Sequence, residues 1–286
     1  MRGLAAVRTV RFQIVNVFAE ATFGGNPLAV VEDATALTEA EQFSICDQFN
    51  LSETTFVFPS AKAAARVRIL SPGEEMAFAG HPTLGTAHVV RALKGLGDAF
   101  ELELKVGPIS VCAKGDRWEL RSAPATVLPP PTGDAELAAM LGLPATAVLP
   151  GAQWVSCGTQ QLLTPLADAA AVHACKPRLE LLEKYAKNPN GRVAAYAFAR
   201  TPAGFVARYF WNAHGALRED PGTGSACANL GGWLVHRGER GPFRATVEQG
   251  HATGRLNVLS LRLDEQRRVY VGGRVVPVMR GELLVP

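Results

Sequence analysis

Two stretches of the chain share one arrangement of apolar and polar residues. Residues 78–90 and residues 218–236 each pass from a turn of small residues into an apolar run that carries almost no charge. A helix that is polar only at its ends is buried along its length. The N-terminus of such a helix has backbone N–H groups without intrahelical partners, and these bind anions. The pattern therefore predicts two buried helices, each with an anion-binding N-terminus.

Alternating apolar and polar positions, together with short apolar runs, predict strands around these helices. We also expect a helix from residue 38 to about residue 50, because Thr38 and Glu41 form a capping-box pattern. Further helices are predicted at 134–142 and 178–187. Strands are predicted at 9–18, 28–31, 54–58, 65–70, 100–106, 109–113, 117–121, 153–157, 161–164, 193–199, 204–211, 243–249, 254–263, 267–276 and 280–285.

The two apolar helices suggest an internal duplication. Residues 82–87 match residues 221–226 without a gap, an offset of 139 positions, and a rival register pairs residue 79 with residue 221. In both registers a strand-rich segment precedes the helix and a meander follows it. The prediction is an α+β fold of two pseudo-symmetric domains, each a curled, mostly antiparallel sheet around a central apolar helix. The sequence does not choose between the two registers.

A proline-rich segment near the middle of the chain, residues 123–131, is the best candidate for the domain boundary. We expect one domain over residues 1–125, completed by a C-terminal strand at 277–286. The second domain then covers residues 126–276.

Composition narrows the class of protein. The 286 residues are 48% hydrophobic and 19% charged, which is enough apolar material for two cores. The 29 basic and 26 acidic residues are spread along the chain without a Lys/Arg run, so we expect no nucleic acid partner. No segment is as long and apolar as a signal-peptide core or a membrane span, and we expect a soluble cytoplasmic protein. Five widely spaced cysteines predict free thiols and no metal site.

Several polar residues near the two helices are candidates for chemistry. Glu53 lies between a helix and a strand, where burial would raise its pKa toward that of a general base, although a solvated loop glutamate is the simpler interpretation. His81 precedes Pro82, a residue suited to the first position of a helix, and is either functional or a capping residue. Asp220 is a candidate N-cap, and the backbone N–H groups of Gly224 and Ser225 fit a carboxylate or merely begin a helix.

A nucleotide-binding interpretation of the glycine-rich turn is weak. Gly222 and Gly224 are spaced as in a dinucleotide-binding turn, but polar residues 218–220 and a proline separate them from the preceding strand. The common motifs of phosphate-binding loops, zinc proteases and serine hydrolases do not occur.

Five blocks of the sequence together are similar to the PhzF-like isomerase family of phenazine biosynthesis. They are residues 25–31, 50–54, 78–85, 219–226 and 249–255, they occur in the family's order, and they span nearly the whole chain. The resemblance implies the fold of diaminopimelate epimerase, an active site between the two domains, a homodimer and no cofactor. It also implies a small carboxylate-bearing substrate, because the namesake enzyme isomerises trans-2,3-dihydro-3-hydroxyanthranilate by moving a proton with a glutamate.

The resemblance assigns roles residue by residue. The family's glutamate falls on Glu53, and its assisting histidine, aspartate and serine fall on His81, Asp220 and Ser225. We therefore expect Glu53, His81 and Asp220 to be catalytic. The matching blocks make the remaining candidates substrate-binding residues: Asn26, Gly80, Gly224 and Ser225.

Epimerases of the same fold use two opposed cysteines, and this chain has Ala79 and Pro221 at what we take to be the corresponding positions. A two-thiol racemase is therefore disfavoured. Three hypotheses remain: an isomerase that uses Glu53 as its acid/base, a cofactor-independent epimerase that uses a carboxylate and a histidine, and a non-catalytic carboxylate-binding protein.

Overall fold

The structure is a computed structural model that describes residues 7–213 and 215–286. Within it the chain forms two compact units. The first unit comprises the residues up to 120 together with 273–286, and the second comprises residues 121–272. The last strand of the chain, Val269–Val285, contributes residues to both units.

The first unit contains two helices and most of the N-terminal strands. Helix α1 has the predicted capping box, with the Thr38 side chain and Glu41 bonded to each other's backbone, and it ends at Asn50 in the left-handed conformation (φ 51°). The elements are β1 (Arg8–Val17), β2 (Asn26–Val31), α1 (Glu39–Phe49), β3 (Thr54–Phe58), β4 (Ala65–Ser71), β5 (Glu74–Met76), α2 (Gly80–Lys94), β6 (Ala99–Leu104), β7 (Gly107–Lys114) and β8 (Arg117–Arg121).

The second unit contains the remaining strands and a second central helix. Its elements are β9 (Thr126–Leu128), α3 (Asp134–Leu141), β10 (Gln153–Ser156), β11 (Gln160–Pro165), α4 (Ala169–Ala174), α5 (Leu179–Tyr185), β12 (Ala194–Thr201), β13 (Gly204–Ala213), β14 (Ala216–Asp220), α6 (Gly224–His236), β15 (Phe243–Gln249), β16 (Asn257–Leu263) and β17 (Val269–Val285), with 3₁₀ turns at Ala145–Ala147 and His251–Thr253.

Strand pairing follows the same order in both units. In the first unit β1 pairs antiparallel with β2, β2 parallel with β3, β3 antiparallel with β4, β4 antiparallel with β5 and parallel with β6, and β6 antiparallel with β7. In the second unit β10 to β16 repeat that order: β10 and β11 antiparallel, β11 and β12 parallel, β12 and β13 antiparallel, β13 antiparallel with β14 and parallel with β15, and β15 antiparallel with β16. The fold is α+β and internally duplicated, as predicted.

The element bounds give a register for the duplication that neither sequence alignment had. Helix α2 begins at residue 80 and α6 at residue 224, and the strands that precede them end at residues 76 and 220. Both differences are 144 positions, whereas the sequence matches had suggested smaller offsets. His81 and Ser225 are therefore the second residues of equivalent helices.

Both central helices are buried on nearly all sides, as predicted. Each brings a glycine against its own sheet. A Cβ on Gly85 of α2 would lie 2.6 Å from Leu28 Cδ2, and a Cβ on Gly231 of α6 would lie 2.5 Å from Val269 Cγ1. Both distances are shorter than van der Waals contact, so the absence of a side chain lets each helix approach its sheet closely.

Some local predictions were wrong. The strands predicted at 267–276 and 280–285 are parts of one strand, β17, which begins at Val269, because Pro277 stands at a bulge in the pairing with β1 and does not interrupt it. The short elements β5, β9, β14 and α4 were not predicted, since each has too few residues to show a period. The first helical residue of α2 is Gly80, so Pro82 is the third and not the first.

Candidate active site

Glu53 lies where α1 gives way to β3, and buried threonines fix this junction. Thr54 begins β3 opposite Ala29 of β2, and Thr55 Oγ1 donates to the Ala29 carbonyl (3.4 Å) and accepts a bond from Thr86 Oγ1 of α2 (2.8 Å). These contacts attach the start of β3 to both β2 and the central helix. The Glu53 side chain is 15% exposed. It is therefore not the solvated loop glutamate that was the simpler interpretation of the sequence.

His81 lies in the first turn of α2, and its side chain is 8% exposed. Burial lowers the pKa of His81 to about 3, and a hydrogen bond from the ring to the Pro27 carbonyl opposes that fall. The imidazole is thus neutral at neutral pH. The N-cap residue of α2 is Ala79, which has no side-chain cap, so His81 is not the capping residue.

The structure brings Glu53 and His81 together. His81 Nε2 lies 3.5 Å from Glu53 Oε2. Since Nε2 points at Glu53, Nδ1 is the nitrogen left to donate to the Pro27 carbonyl, and the neutral ring then presents the Nε2 lone pair to the carboxylate. A proton on the Glu53 carboxyl group would face this lone pair.

The start of β2 completes this part of the first unit. Asn26, its first residue, is fully buried and precedes the Pro27 carbonyl that His81 contacts. Gly25 turns the chain into β2 with φ 73°, and a Cβ there would lie 2.5 Å from the Val17 carbonyl, so the position requires glycine. Gly80 is the first residue of α2. Asn26, Glu53, Gly80 and His81 thus lie at the starts of three elements of one unit.

In the second unit Asp220 is the last residue of β14 and is held by a ring of hydrogen bonds. Thr223, the N-cap residue of α6, donates from Oγ1 to Asp220 Oδ2 (2.5 Å). Gln249 Nε2 donates to the Asp220 carbonyl (2.8 Å) and to Thr223 Oγ1 (2.9 Å), while its Oε1 accepts from the Thr223 N–H (3.2 Å). Asp220 is therefore a partner of the capping residue and not the cap that the sequence had suggested.

A glycine makes this arrangement possible. Gly250 has φ 90°, and a Cβ there would lie 2.6 Å from the Pro221 carbonyl. Its conformation places Gln249 beneath the N-terminus of α6. This contact accounts for the Gln-Gly pair in the sequence block at residues 249–255.

Gly224 and Ser225 are the first two residues of α6. Gly224 is buried, Ser225 is half-buried, and Ser225 Oγ accepts a hydrogen bond from Gln161 Nε2 of β11 (2.9 Å). The N-terminus of the helix leaves backbone N–H groups without intrahelical partners here, and anion binding by them stays a prediction.

Three residues of the second unit were missed by the sequence analysis: Thr223, Gln249 and Gln161. Gln249 stood in one of the matching blocks, which was an available signal. Gln161 had none, because its importance depends on neighbours brought in by the fold.

Comparison with known proteins identifies the family of this chain. The family model described as phenazine biosynthesis-like protein, PhzC-PhzF, matches residues 15–281. This chain belongs to that family. An uncharacterized isomerase of Pasteurella multocida is 37% identical over 279 residues, covering 96% of this chain and 94% of that protein. The trans-2,3-dihydro-3-hydroxyanthranilate isomerase of Pseudomonas chlororaphis is 31% identical over 286 residues, covering 96% and 99%.

A solved structure of the PhzF family shows the same fold. The Bacillus anthracis phenazine biosynthesis protein superposes with a TM-score of 0.85 at 24% identity, covering 97% of this chain and 100% of that one. The family resemblance inferred from the sequence is thus confirmed, and so is the epimerase-like fold. As a PhzF-family protein the chain is an isomerase.

The thiols of this PhzF-family chain do not resemble those of a two-thiol epimerase. The N-cap residues of the equivalent helices are Ala79 and Thr223, so Thr223, and not Pro221, corresponds to Ala79. All five cysteines are free. Cys227 lies inside α6, and complete burial raises the pKa of its thiol far above the ordinary value.

Metal-site clusters and membrane-spanning helices are both absent from the part of the chain that the structure describes. Across residues 7–213 and 215–286, no group of three or more His, Cys, Asp or Glu side chains has the arrangement of a metal site. In the same ranges no helix is both long and apolar enough to cross a membrane.

Proposed function

We propose that this PhzF-family isomerase moves a proton between two carbon atoms of a small carboxylate-bearing substrate, with Glu53 as the general acid/base and without a cofactor. The observation that carries the proposal is the pair formed by Glu53 and His81. Its facing atoms are 3.5 Å apart, both side chains are largely buried, and the imidazole is neutral.

The chemistry follows from the capacity of this pair for one proton. The Glu53 carboxylate removes a proton from a carbon that a neighbouring unsaturated group has made acidic. The electron pair left on that carbon shifts the double bond, and the protonated pair returns the proton to a different carbon. His81 supports this cycle because its Nε2 lone pair faces the Glu53 carboxyl group and accepts a hydrogen bond from it once that group carries the proton. Positioned groups of this kind contribute about 10² to 10⁴ in rate.

Asp220, Asn26, Gly80, Gly224 and Ser225 have roles in substrate binding under this proposal. Backbone N–H groups at helix N-termini bind a carboxylate, and the proposal gives this part to Gly80 in the first unit and to Gly224 in the second. Asn26 and Ser225 supply side-chain hydrogen bonds. Asp220, fixed by Thr223 and Gln249, orients the substrate or stabilises charge.

The substrate class rests on the relatives. One of them is named for isomerising trans-2,3-dihydro-3-hydroxyanthranilate, a cyclic amino carboxylate with an allylic hydrogen. At 31% identity the site is transferred more safely than the reaction. We therefore propose the class of unsaturated or cyclic small carboxylates, with this compound as the first to test.

The experiment is incubation of the protein in heavy water with that compound and with a panel of unsaturated carboxylates and amino acids, followed by NMR. Migration of a double bond with deuterium incorporation is the expected result. Deuterium incorporation with racemisation would instead favour an epimerase, and thermal stabilisation without exchange at carbon would favour a binding protein. Either outcome would overturn the proposed isomerisation.

The assembly is a separate prediction. We propose a homodimer, as the family resemblance implies, and light scattering of the eluted protein would give about twice the 30.4 kDa mass of one chain. A mass of one chain across a range of protein concentrations would contradict it.

A further inference from the structure

A chain of side-chain amides lies behind Ser225 in the second unit. Gln161 Nε2 donates to Ser225 Oγ (2.9 Å), and Gln161 Oε1 accepts from Asn229 Nδ2 (2.7 Å). The Asn229 amide is held in turn by the main chain, since its Oδ1 accepts from the Cys157 N–H (2.6 Å) and its Nδ2 donates to the Thr159 carbonyl (2.9 Å). Gln161 and Asn229 are 1% and 0% exposed.

The backbone groups of Cys157 and Thr159 fix the direction of every hydrogen bond among these side-chain amides. A backbone N–H only donates and a backbone carbonyl only accepts, so the Asn229 amide has one orientation that satisfies both Cys157 and Thr159. Asn229 then offers an N–H to Gln161, which must answer with its oxygen. Gln161 consequently presents its own N–H to Ser225, and Ser225 Oγ is the acceptor of that bond.

The bond from Gln161 occupies one lone pair of the Ser225 hydroxyl and leaves its hydrogen and its second lone pair for other partners. Because its oxygen accepts from Gln161, its hydrogen is directed to another acceptor. A serine with a rotatable hydroxyl would otherwise serve a donor or an acceptor group on a ligand equally well. At this position the amide chain favours a ligand group that accepts a hydrogen bond.

We propose that Gln161, oriented by Asn229, is a positioning residue that makes the Ser225 hydroxyl a hydrogen-bond donor and thereby selects a substrate carboxylate over an ammonium or other donor group at this position. The proposal rests on the proposed substrate-binding function of Ser225. It gives a physical reason why the site prefers a carboxylate. It attributes this preference to Gln161, which lies outside the matching sequence blocks.

A further contact of Gln161 is consistent with a polar, buried setting. Burial raises the pKa of Tyr209 to about 12, and a hydrogen bond with the Gln161 side chain opposes that rise. Tyr209 stands opposite Asp220 in the pairing of β13 with β14. The groups facing Gln161 are thus two hydroxyls and an amide, and the tyrosine is neutral at neutral pH.

The first arm of the test needs no substrate. Neutron diffraction from wild-type crystals in heavy water locates the deuterium atoms on Gln161 and Ser225. We expect the deuterated nitrogen of Gln161 to face Ser225 Oγ and the Ser225 deuterium to point away from Gln161. A Gln161 oxygen facing Ser225, or a Ser225 deuterium directed at Gln161, would overturn the inference whatever the enzyme's substrate is.

The second arm is kinetic, with trans-2,3-dihydro-3-hydroxyanthranilate as the probe. In Gln161→Glu the new carboxylate accepts the Ser225 hydrogen, so we expect KM to rise about 10- to 100-fold, the size of a hydrogen bond to a charged group, with a smaller change in kcat. Acidification that protonates the new side chain restores a donor and should lower KM again. Gln153→Glu, which adds the same charge on neighbouring strand β10 opposite Leu163, is the matched control.

Gln161→Met is a second, uncharged variant that tests the same position if Gln161→Glu fails to fold. Methionine cannot donate, so KM should rise in the wild-type background but not further in a Ser225→Ala background, because the two changes remove one interaction. Equal losses in both backgrounds, or a Gln161→Glu defect that is confined to kcat and does not vary with pH, would show that Gln161 is merely structural. Failure of the wild-type protein to isomerise any compound would refute the proposed function and leave the neutron result to decide this inference.

Discussion

The two central helices begin in the same way and carry different chemistry. His81 and Ser225 occupy the second position of equivalent helices, each preceded by a short strand that ends four residues before the helix. At the start of α2 a buried, neutral imidazole faces a carboxylate. At the start of α6 the side-chain amides of Gln161 and Gln249 fix donors and acceptors in one orientation.

The difference lies in the side chains that the neighbouring strands supply and not in the backbone. The strand before α2 ends at Met76, and the strand before α6 ends at Asp220. Burial shifts the pKa of His81 strongly, whereas hydrogen bonds from Thr223 and Gln249 hold Asp220 in place. Under the proposed function, one copy of the duplicated scaffold carries out proton transfer and the other orients the substrate.

The largest difference between the two helix starts should appear when the carboxylate of Glu53 is replaced. We expect Glu53→Gln to reduce turnover by about 10² to 10⁴ while ligand affinity stays within a few-fold, because the amide keeps the shape but cannot carry the proton. Steady-state kinetics and calorimetric titration measure the two effects. Glu282→Gln, an exposed change on β17, is the control. Unchanged turnover in Glu53→Gln would remove Glu53 from the mechanism.

The network at α6 should respond in stability more than in acid/base behaviour. Gln249→Leu leaves the buried N–H of Thr223 and the carbonyl of Asp220 without their amide partner, and each such loss costs about 1–3 kcal/mol. We expect the free energy of unfolding in urea to fall by about 2–5 kcal/mol. Gln266→Leu, in an exposed hairpin, should leave it unchanged. A Gln249→Leu protein as stable as wild type would contradict a fixed network.

The buried imidazole at α2 should give the stability of the protein a dependence on pH. His81 has a pKa of about 3 in the folded protein and an ordinary value of 6.5 when unfolded, so the unfolded state binds the extra proton between these values. The free energy of unfolding should therefore fall as the pH drops from about 6.5 toward 3, by up to about 1.4 kcal/mol per pH unit from this residue. Denaturation curves of His81→Asn should be flatter over this window, and an unchanged slope would count against a neutral, buried His81. His173→Asn, an exposed histidine, serves as control.

The smallest expected effect tests whether the two helices are packed alike. Gly85→Ala and Gly231→Ala each place a Cβ within 2.6 Å of a sheet side chain, and such overpacking costs about 1–3 kcal/mol against a gain in helix propensity of about 1 kcal/mol. We expect both variants to melt slightly below wild type and by similar amounts. Gly97→Ala, where a Cβ meets nothing within 4 Å, is the control. A clear difference between the two helical variants would break the equivalence of the copies.

Local chemistry in the sequence was enough for several elements of the fold. The Thr38 and Glu41 capping box and the stop at Asn50 predicted α1, and the uncharged apolar runs predicted α2 and α6. These signals are local because a cap or a buried face involves residues a few positions apart. β17 was divided in two because a proline usually ends a strand, and the bulge that accommodates Pro277 depends on its partner β1.

The candidate site was predicted only as far as its residues lie in recognisable blocks. Glu53 and His81 were named from the sequence, but the 3.5 Å contact between them depends on how β3 and α2 pack. Gln161 and Asn229 gave no local signal, because a hydrogen-bonded amide looks like any other polar residue until its partners are known. The register of the duplication was missed for a related reason, since the two helix starts share position but little chemistry.

The pairing of β1 with β17 has a consequence for how the protein is made. Arg8 pairs with Val285, so the first unit needs strands from both extremes of the chain, whereas the second unit is one continuous segment. During synthesis the second unit can fold as soon as residue 272 has left the ribosome. In the first unit, β1 lacks its partner strand β17 until residue 285 emerges. Contacts so distant in sequence form slowly, and we expect the earlier half of the polypeptide to be the later one to reach its native state.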